Sequence, residues 1–150
     1  MANTRRVTSE ETWVLVADAR RAEIYRRHES GGPLEMVQHL ADDEARARER
    51  DLVADKPGRS FDSAGQGRHA MDPAHTEKQN LRSTFARRIA RELEAARIAD
   101  RYAQLVIVAA PAMLGELRAH LDAPTASCVT AEYSKELAGQ DPEAVAKLID

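Results

Sequence analysis

Residues 104–111 read Q-L-V-I-V-A-A-P and set the α/β character of the chain. Gln104 to Ala109 is its most strand-like run, because branched apolar residues follow one another there. Pro111 then predicts the start of a helix, since proline is tolerated in the first helical turn. The stretch therefore predicts a strand followed at once by a helix.

One helix is predicted before this strand in the sequence, and another follows it. The preceding helix extends from about Thr76 to Arg101, and its apolar residues form a single stripe that is expected to face a sheet. The stripe consists of Leu81, Phe85, Ile89, Leu93 and Ala96. The following helix spans Ala112 to Leu121 and ends at Asp122-Ala123-Pro124. A short strand, Ser127 to Ala131, and a last helix, from Asp141-Pro142 to Ile149, complete this half of the chain.

Three strands are predicted in the N-terminal part of the chain: Trp13 to Ala17, Ala22 to Arg27 and Leu34 to Leu40. The first is an apolar run typical of a buried strand. In the second, Ala22 and Ile24 alternate with polar or amphipathic residues, which predicts a half-buried strand. The connections between the three strands are too short for a crossover, so the strands are expected to be antiparallel.

The predicted element order is β-β-β-α-β-α-β-α. Antiparallel strands followed by right-handed crossovers predict an α/β fold with a mixed five-stranded sheet and helices on its faces. Ribonuclease-H-like folds share this plan. We expect a disordered N-terminus over residues 1–11 and a single domain over residues 12–150, with a long loop at 51–75.

Composition restricts the possible functions. The 150 residues carry a net charge of -3, which argues against bulk electrostatic binding to nucleic acid but leaves a local basic patch open. Cys128 is the only cysteine, so an internal disulfide and a Cys-based zinc site are excluded; it is expected to be a small core residue on a strand. No signal-peptide-like run or membrane-spanning length of apolar residues occurs, so we expect a cytoplasmic protein.

Residues 51–72 have neither a helical nor a strand period. They read D-L-V-A-D-K-P-G-R-S-F-D-S-A-G-Q-G-R-H-A-M-D. Irregular segments longer than about 12–15 residues are usually functional or disordered. Glycines permit close approach of the backbone to a ligand, and arginine pairs with phosphate in bidentate fashion. These properties indicate an RNA- or phosphate-contacting tip with six candidate residues: Arg59, Gly65, Gln66, Gly67, Arg68 and His69. The alternative is a solvated loop in which acidic and basic residues nearly cancel.

Three stretches carry a family resemblance. They are W-V-L-V-A-D-A-R-R-A-E-I-Y at 13–25, D-K-P-G-R-S-F-D-S-A-G-Q-G-R-H-A at 55–70 and V-I-V-A-A-P-A-M-L-G-E-L-R at 106–118. Together they resemble the bacterial host-attachment protein family, whose members are described as required for attachment to host cells. That family is in turn distantly similar to the middle domain of archaeal and eukaryotic translation termination factors.

The second similarity implies a role for the long loop. In termination factors a loop between a strand and a long helix carries a Gly-Gly-Gln motif, whose glutamine works at the peptidyl-transferase centre. Here Gly65-Gln66 matches that motif, and Ala64 replaces its first glycine. The resemblance implies a binding module that contacts RNA or the ribosome through residues 55–72. We assign no catalytic residue, metal ligand or cofactor, and a non-enzymatic protein is favoured.

Two other interpretations of the function stay open. One is an interaction protein that acts in host-cell attachment through protein contacts. The other is a metal-dependent nuclease or hydrolase. For the latter, Asp18 could be a first metal-binding carboxylate without clear partners, and His69, Asp72 and His75 are spaced three and three. Pro73 interrupts that set, so a capped helix start near Asp72 is the preferred interpretation.

The long helix offers a further candidate surface. Its five arginines off the apolar stripe could track a phosphate backbone. They are Arg82, Arg87, Arg88, Arg91 and Arg97. The preferred alternative is an ordinary solvent face with salt bridges to Glu92 and Glu94. The helix start after Ala109-Ala110 could bind an anion, although no glycine-rich cradle accompanies it.

Overall fold

The computed structural model describes residues 11–29, 31–41 and 73–149. The strands are β1 (Thr12–Ala17), β2 (Arg21–Arg27), β3 (Glu35–Ala41), β4 (Gln104–Ala109) and β5 (Val129–Ser134). The helices are α1 (Pro73–Ile98), α2 (Pro111–His120), α3 (Ala123–Ser127) and α4 (Pro142–Ile149).

The five strands form one mixed sheet in the order β3-β2-β1-β4-β5. The pairs β1–β2 and β2–β3 are antiparallel, whereas β1–β4 and β4–β5 are parallel. The prediction of a mixed five-stranded α/β sheet is confirmed. In the centre of the sheet, Leu15 lies between Ile24 of β2 and Ile107 of β4.

The first face of the sheet is covered by α1 and α2, with α3 at one end. The predicted stripe of α1 faces this sheet: Phe85, Ile89, Leu93 and Ala96 are buried, and Leu81 is partly buried. They pack in one cluster with inward-facing apolar residues of β1, β2 and β4 and of α2. The burial of apolar surface by this amphipathic helix is what holds α1 on the sheet.

The second face is covered by α4 and the segment that precedes it. Val145 of α4 packs against the valines of β1 and β4. The prediction that β2 is only half-buried is wrong, because Glu23 and Tyr25 are buried on this face as well. The Glu23 carboxylate accepts hydrogen bonds from the Gly139 N–H at 3.2 Å and from the Tyr25 hydroxyl at 3.4 Å. Burial, together with the charge of Glu23, raises the pKa of Tyr25 to about 12.

The region after α2 also departs from the prediction. Asp122-Ala123-Pro124 ends α2 as expected, but it also starts the short helix α3, so the order is β-β-β-α-β-α-α-β-α. Asp122 is the N-cap, and its carboxylate accepts a hydrogen bond from the Thr125 N–H at 3.3 Å. β5 consequently begins at Val129 rather than Ser127. Cys128 lies in the turn between α3 and β5, partly buried against the core, and not on a strand.

The Asp122 cap leads to a prediction about stability and pH. Hydrogen bonding with Thr125, assisted by the Arg97 guanidinium 3.7 Å away, holds the pKa of Asp122 below its usual 3.8. The carboxylate is therefore more acidic in the folded than in the unfolded state. Its contribution to stability is present above the unfolded pKa and is lost as the pH falls through the folded pKa.

We expect the melting temperature near neutral pH to fall in the order wild type, Asp122→Asn, Asp122→Ala. Asparagine keeps the cap and loses the charge, whereas alanine loses both. The advantage of the wild type over Asp122→Asn should shrink below the usual pKa of 3.8. Thermal unfolding followed by circular dichroism, at neutral pH and at a pH below 3.8, measures these differences. Equal melting temperatures for Asp122→Asn and Asp122→Ala would show that the cap hydrogen bond does not stabilise α3.

Candidate functional site

The six loop residues predicted to contact RNA lie outside the described residues. They are Arg59, Gly65, Gln66, Gly67, Arg68 and His69. The side chains of Asp72 and His75, considered as metal ligands with His69, also lie outside. The described part of the chain contains the two points that this segment joins, Ala41 at the end of β3 and Pro73 at the start of α1.

Arg88 connects α1 to the end of β3. Its guanidinium donates a hydrogen bond to the carbonyl oxygen of Ala41 at 3.0 Å, and its central carbon lies 5.9 Å from the centroid of the Phe85 ring. These two contacts hold the side chain in place on the surface of α1. The chain therefore leaves the sheet beside the helix face that carries Arg88.

That helix face is basic. Arg87, Arg88 and Arg91 are exposed, and their spacing places them on adjacent turns of α1. Within the described ranges, no ion pair joins any of them to a carboxylate. The salt bridges predicted from these three arginines to Glu92 and Glu94 are therefore not formed, and Glu92 instead accepts a hydrogen bond from the Gln38 side chain at 3.1 Å. We call Arg87, Arg88 and Arg91 the α1 arginine face.

The other two predicted arginines do not belong to this face. Arg82 and Arg97 are only partly exposed. Arg97 donates a hydrogen bond to the Thr125 hydroxyl at 3.1 Å and lies 3.7 Å from the Asp122 carboxylate, so it joins α1 to α3. Arg97 thus joins two helices, whereas Arg87, Arg88 and Arg91 are exposed, a difference that the sequence spacing alone does not show.

The carboxyl ends of β1 and β4 form another candidate region. The Asp18 carboxylate accepts hydrogen bonds from the N–H groups of Arg20 and Arg21 at 2.8 and 2.9 Å, so it shapes the turn into β2. α2 starts at Pro111, directly after β4, as predicted from the sequence. Among the residues whose placement is described, no group of three His, Cys, Asp or Glu side chains could hold a metal ion.

A polar cluster between α1 and α2 was not predicted from the sequence. Ser83 Oγ lies 3.0 Å from His120 Nε2, and the Glu116 carboxylate lies 3.9 Å from the same nitrogen. In a catalytic triad the carboxylate contacts the ring nitrogen that faces away from the nucleophile. Here both groups contact Nε2, so the cluster does not have triad geometry and serves to link two helices. Glu116 and His120 are an i,i+4 pair on α2, but Ser83 is 37 residues from His120, and no spacing rule indicates the contact between those two.

Comparison with known protein families shows to which family the chain belongs. Residues 13–149 match the family described as "Protein required for attachment to host cells". The chain belongs to this host-attachment family. The match confirms the resemblance carried by the stretches at 13–25, 55–70 and 106–118. No curated protein matches the chain.

Membership in the host-attachment family suggests a role in attachment to host cells, and hence an interaction with host components. Within the described part of this family member, none of the helices is both long and apolar enough to cross a membrane. The surface that stands out for an anionic partner is the α1 arginine face, beside the point where the chain enters residues 42–72.

Proposed function

We propose that this host-attachment protein is a non-enzymatic binding module that contacts RNA, on the ribosome or free, through residues 55–72 and the α1 arginine face. One observation carries the proposal. Three exposed arginines without carboxylate partners in the described structure lie where the chain departs toward that segment, with Arg88 bound to the Ala41 carbonyl. Exposed guanidinium groups bind phosphate strongly because their N–H donors match two phosphate oxygens at once.

The charge distribution supports a local contact rather than general binding to nucleic acid. The whole chain carries a net charge of -3, so polyanions are not attracted from a distance. Arg87 and Arg91 lie one helical turn apart, which allows them to contact neighbouring phosphates of one strand. Arg59, Arg68 and Gln66 then add contacts from the adjoining segment, and Gln66 can both donate and accept hydrogen bonds.

A relation to the termination-factor middle domain belongs to the same proposal. The sheet order β3-β2-β1-β4-β5, with three antiparallel strands followed by parallel ones, supports a ribonuclease-H-like assignment. In this interpretation residues 63–68 correspond to the loop that carries the Gly-Gly-Gln motif. Contact with the ribosome also implies that the protein acts in the cytoplasm, which fractionation of cells would test.

The experiment is a pull-down from cell lysate with and without nuclease treatment. We expect the wild type to recover ribosomal proteins only when RNA is intact. The double variant Gly65→Val with Gln66→Ala should lose this recovery, because valine hinders close backbone approach and alanine removes the amide. Under this proposal the segment serves binding rather than packing, so the free energy of unfolding of the double variant should stay within about 0.5 kcal/mol of the wild type.

A matched control uses the same substitutions elsewhere. Gly115→Val with Gln79→Ala changes two exposed helix residues, and a side chain at 115 meets open space. This control should recover ribosomal proteins like the wild type. Recovery by the Gly65→Val, Gln66→Ala variant equal to that of the control would remove the loop from the proposed contact.

The second candidate function is attachment through protein contacts, and the family description favours it directly. In that case the pull-down should recover an envelope or host-cell protein that resists nuclease. Binding would also respond weakly to salt, because apolar contacts do not release counterions as phosphate contacts do. Nuclease-resistant, salt-insensitive recovery would replace the RNA proposal with this one.

A further inference from the structure

A polar cleft of about 300 Å³ lies at the end of the sheet where β1 and β4 begin and β2 ends. It is on the second face, next to the last residue of α4, and thus on the opposite side of the sheet from α1. The residues that line it include Thr12, Arg27, Gln104, Thr130 and Tyr133. The volume is at the lower end of the range for small-molecule pockets, about 300–1,000 Å³.

Arg27 is the buried charged residue of the cleft lining, and only 8% of its surface is exposed. Its neighbour Arg26 lies on the opposite side of the sheet, because successive strand residues face opposite sides. Arg26 is exposed and pairs with Glu35 at 3.0 Å. A guanidinium has five N–H donors and can therefore contact several oxygen atoms at once. In a poorly solvated wall, a cation attracts an anion more strongly than it does in bulk water.

Neutral donors surround this arginine. The Thr12 hydroxyl donates to the Gln104 carbonyl oxygen at 3.3 Å, so the amide nitrogen of Gln104 remains available as a donor. Thr130 and Tyr133, which also line the cleft, each carry a hydroxyl. The lining is therefore rich in hydrogen-bond donors, which suits the oxygen atoms of a carboxylate or phosphate.

The mouth of the cleft limits what can enter. His28 and Glu29 line it and are exposed, and His28 Nδ1 lies 2.6 Å from the Glu11 carboxylate. The exposed Glu29 carboxylate disfavours a long polyanion such as RNA, whereas its effect on a small anion is weakened by solvent and salt. Apolar atoms of Val106 and Ile149 provide a place for a short carbon chain.

We propose that this cleft binds a small organic anion, a carboxylate or a phosphate monoester, whose anionic oxygens contact Arg27 and the hydroxyl and amide donors that line the cleft. The site does not depend on the α1 arginine face, which lies on the other side of the sheet. The proposal rests on the cleft, the buried guanidinium of Arg27 and the other hydrogen-bond donors among the lining residues.

The first test is a titration followed by nuclear magnetic resonance of backbone amides, with succinate, inorganic phosphate and neutral succinamide as probes. We expect succinate or phosphate to give saturable shifts of the amides of Thr12, Gln104 and Thr130, and succinamide to give none. Saturation by succinate alone identifies a carboxylate site, and saturation by phosphate alone a phosphate site. Absence of saturable shifts with both anions, or an equal response to succinamide, would refute the proposal.

Variants then locate the contact. Arg27→Gln should weaken binding of the active probe at least about tenfold, since a charge-assisted hydrogen bond is lost. Arg26→Gln is the matched control one residue away and should bind like the wild type. Tyr133→Phe keeps the shape of the wall and should weaken binding several-fold, so it tests the site even where Arg27→Gln does not fold. If both variants bind the probe with wild-type affinity, the anion binds elsewhere. If Arg27→Gln does not fold, wild-type affinity of Tyr133→Phe alone leads to the same conclusion.

Discussion

Arg87→Glu, Arg88→Glu and Arg91→Glu in one chain are expected to weaken binding to single-stranded RNA at least about a hundredfold. Each substitution replaces a phosphate-binding guanidinium with a carboxylate, whose negative charge repels the RNA phosphates. Each charged hydrogen bond that is lost contributes roughly 1.5–3 kcal/mol to binding. The dependence of affinity on salt should fall in parallel. Because the variant has three fewer phosphate-binding groups, the slope of log K against log salt should decrease in magnitude by about two. Fluorescence anisotropy at two or more salt concentrations measures both quantities.

The control for this triple variant changes net charge by the same amount at positions outside the α1 arginine face. It carries Arg118→Glu, Lys135→Glu and Lys147→Glu, all at exposed positions. Arg118 pairs with Glu132 at 2.6 Å, but an exposed ion pair contributes little to stability. The control should bind RNA far more tightly than the α1 variant. Equal losses of affinity would show that only overall charge matters, and unchanged binding by the α1 variant would contradict the proposed contact.

The largest expected effect on stability comes from Ile107→Ala in the central strand β4. Ile107 is fully buried, lies beside Leu15 of β1 and belongs to the core cluster between the sheet and α1. Truncation of such a side chain removes apolar burial and leaves a cavity, at a cost of about 2–5 kcal/mol. For a chain of this size the melting temperature should fall by roughly 4–20 °C. Denaturant and thermal unfolding provide the two measurements.

Ile98→Ala is the matched control, because it makes the same substitution at a position with 64% exposure at the end of α1. Its free energy of unfolding should change by no more than about 0.5 kcal/mol. A small effect of Ile107→Ala together with a large effect of Ile98→Ala would mean that the core does not lie between the sheet and α1.

Much of the fold follows from local patterns in the sequence. The apolar run of β4 and the single apolar stripe of α1 each identify their element, because burial on a sheet requires them. The short connections among β1, β2 and β3 determine their antiparallel pairing. From the sequence, Asp122-Ala123-Pro124 predicts the end of α2 but not the start of α3. The same residue types occur at helix ends and helix starts, and the strength of an N-cap depends on the residues that follow it.

The candidate surfaces follow from the sequence only in part. The arginines of α1 are visible in the sequence, but the division between Arg97, which contacts Asp122, and the exposed Arg88 depends on tertiary packing. Glu23 lies between Ala22 and Ile24 in β2, a pattern typical of a half-solvated strand. Its burial involves the chain before α4, which contacts Glu23 through Gly139 from the far end of the sequence.

The contact between Glu23 and Gly139 has a consequence for the biosynthesis of this protein. The two residues are 116 positions apart, and the central strand β1 pairs with β4, which is synthesised long after it. While the chain is still emerging, β1 has one open edge, and Val14 and Val16 have no cover from Val145. Open strand edges and uncovered apolar faces promote association between chains. The nascent chain therefore passes through an aggregation-prone interval, and docking of α4 is the step that covers Val14 and Val16 on this face of the sheet.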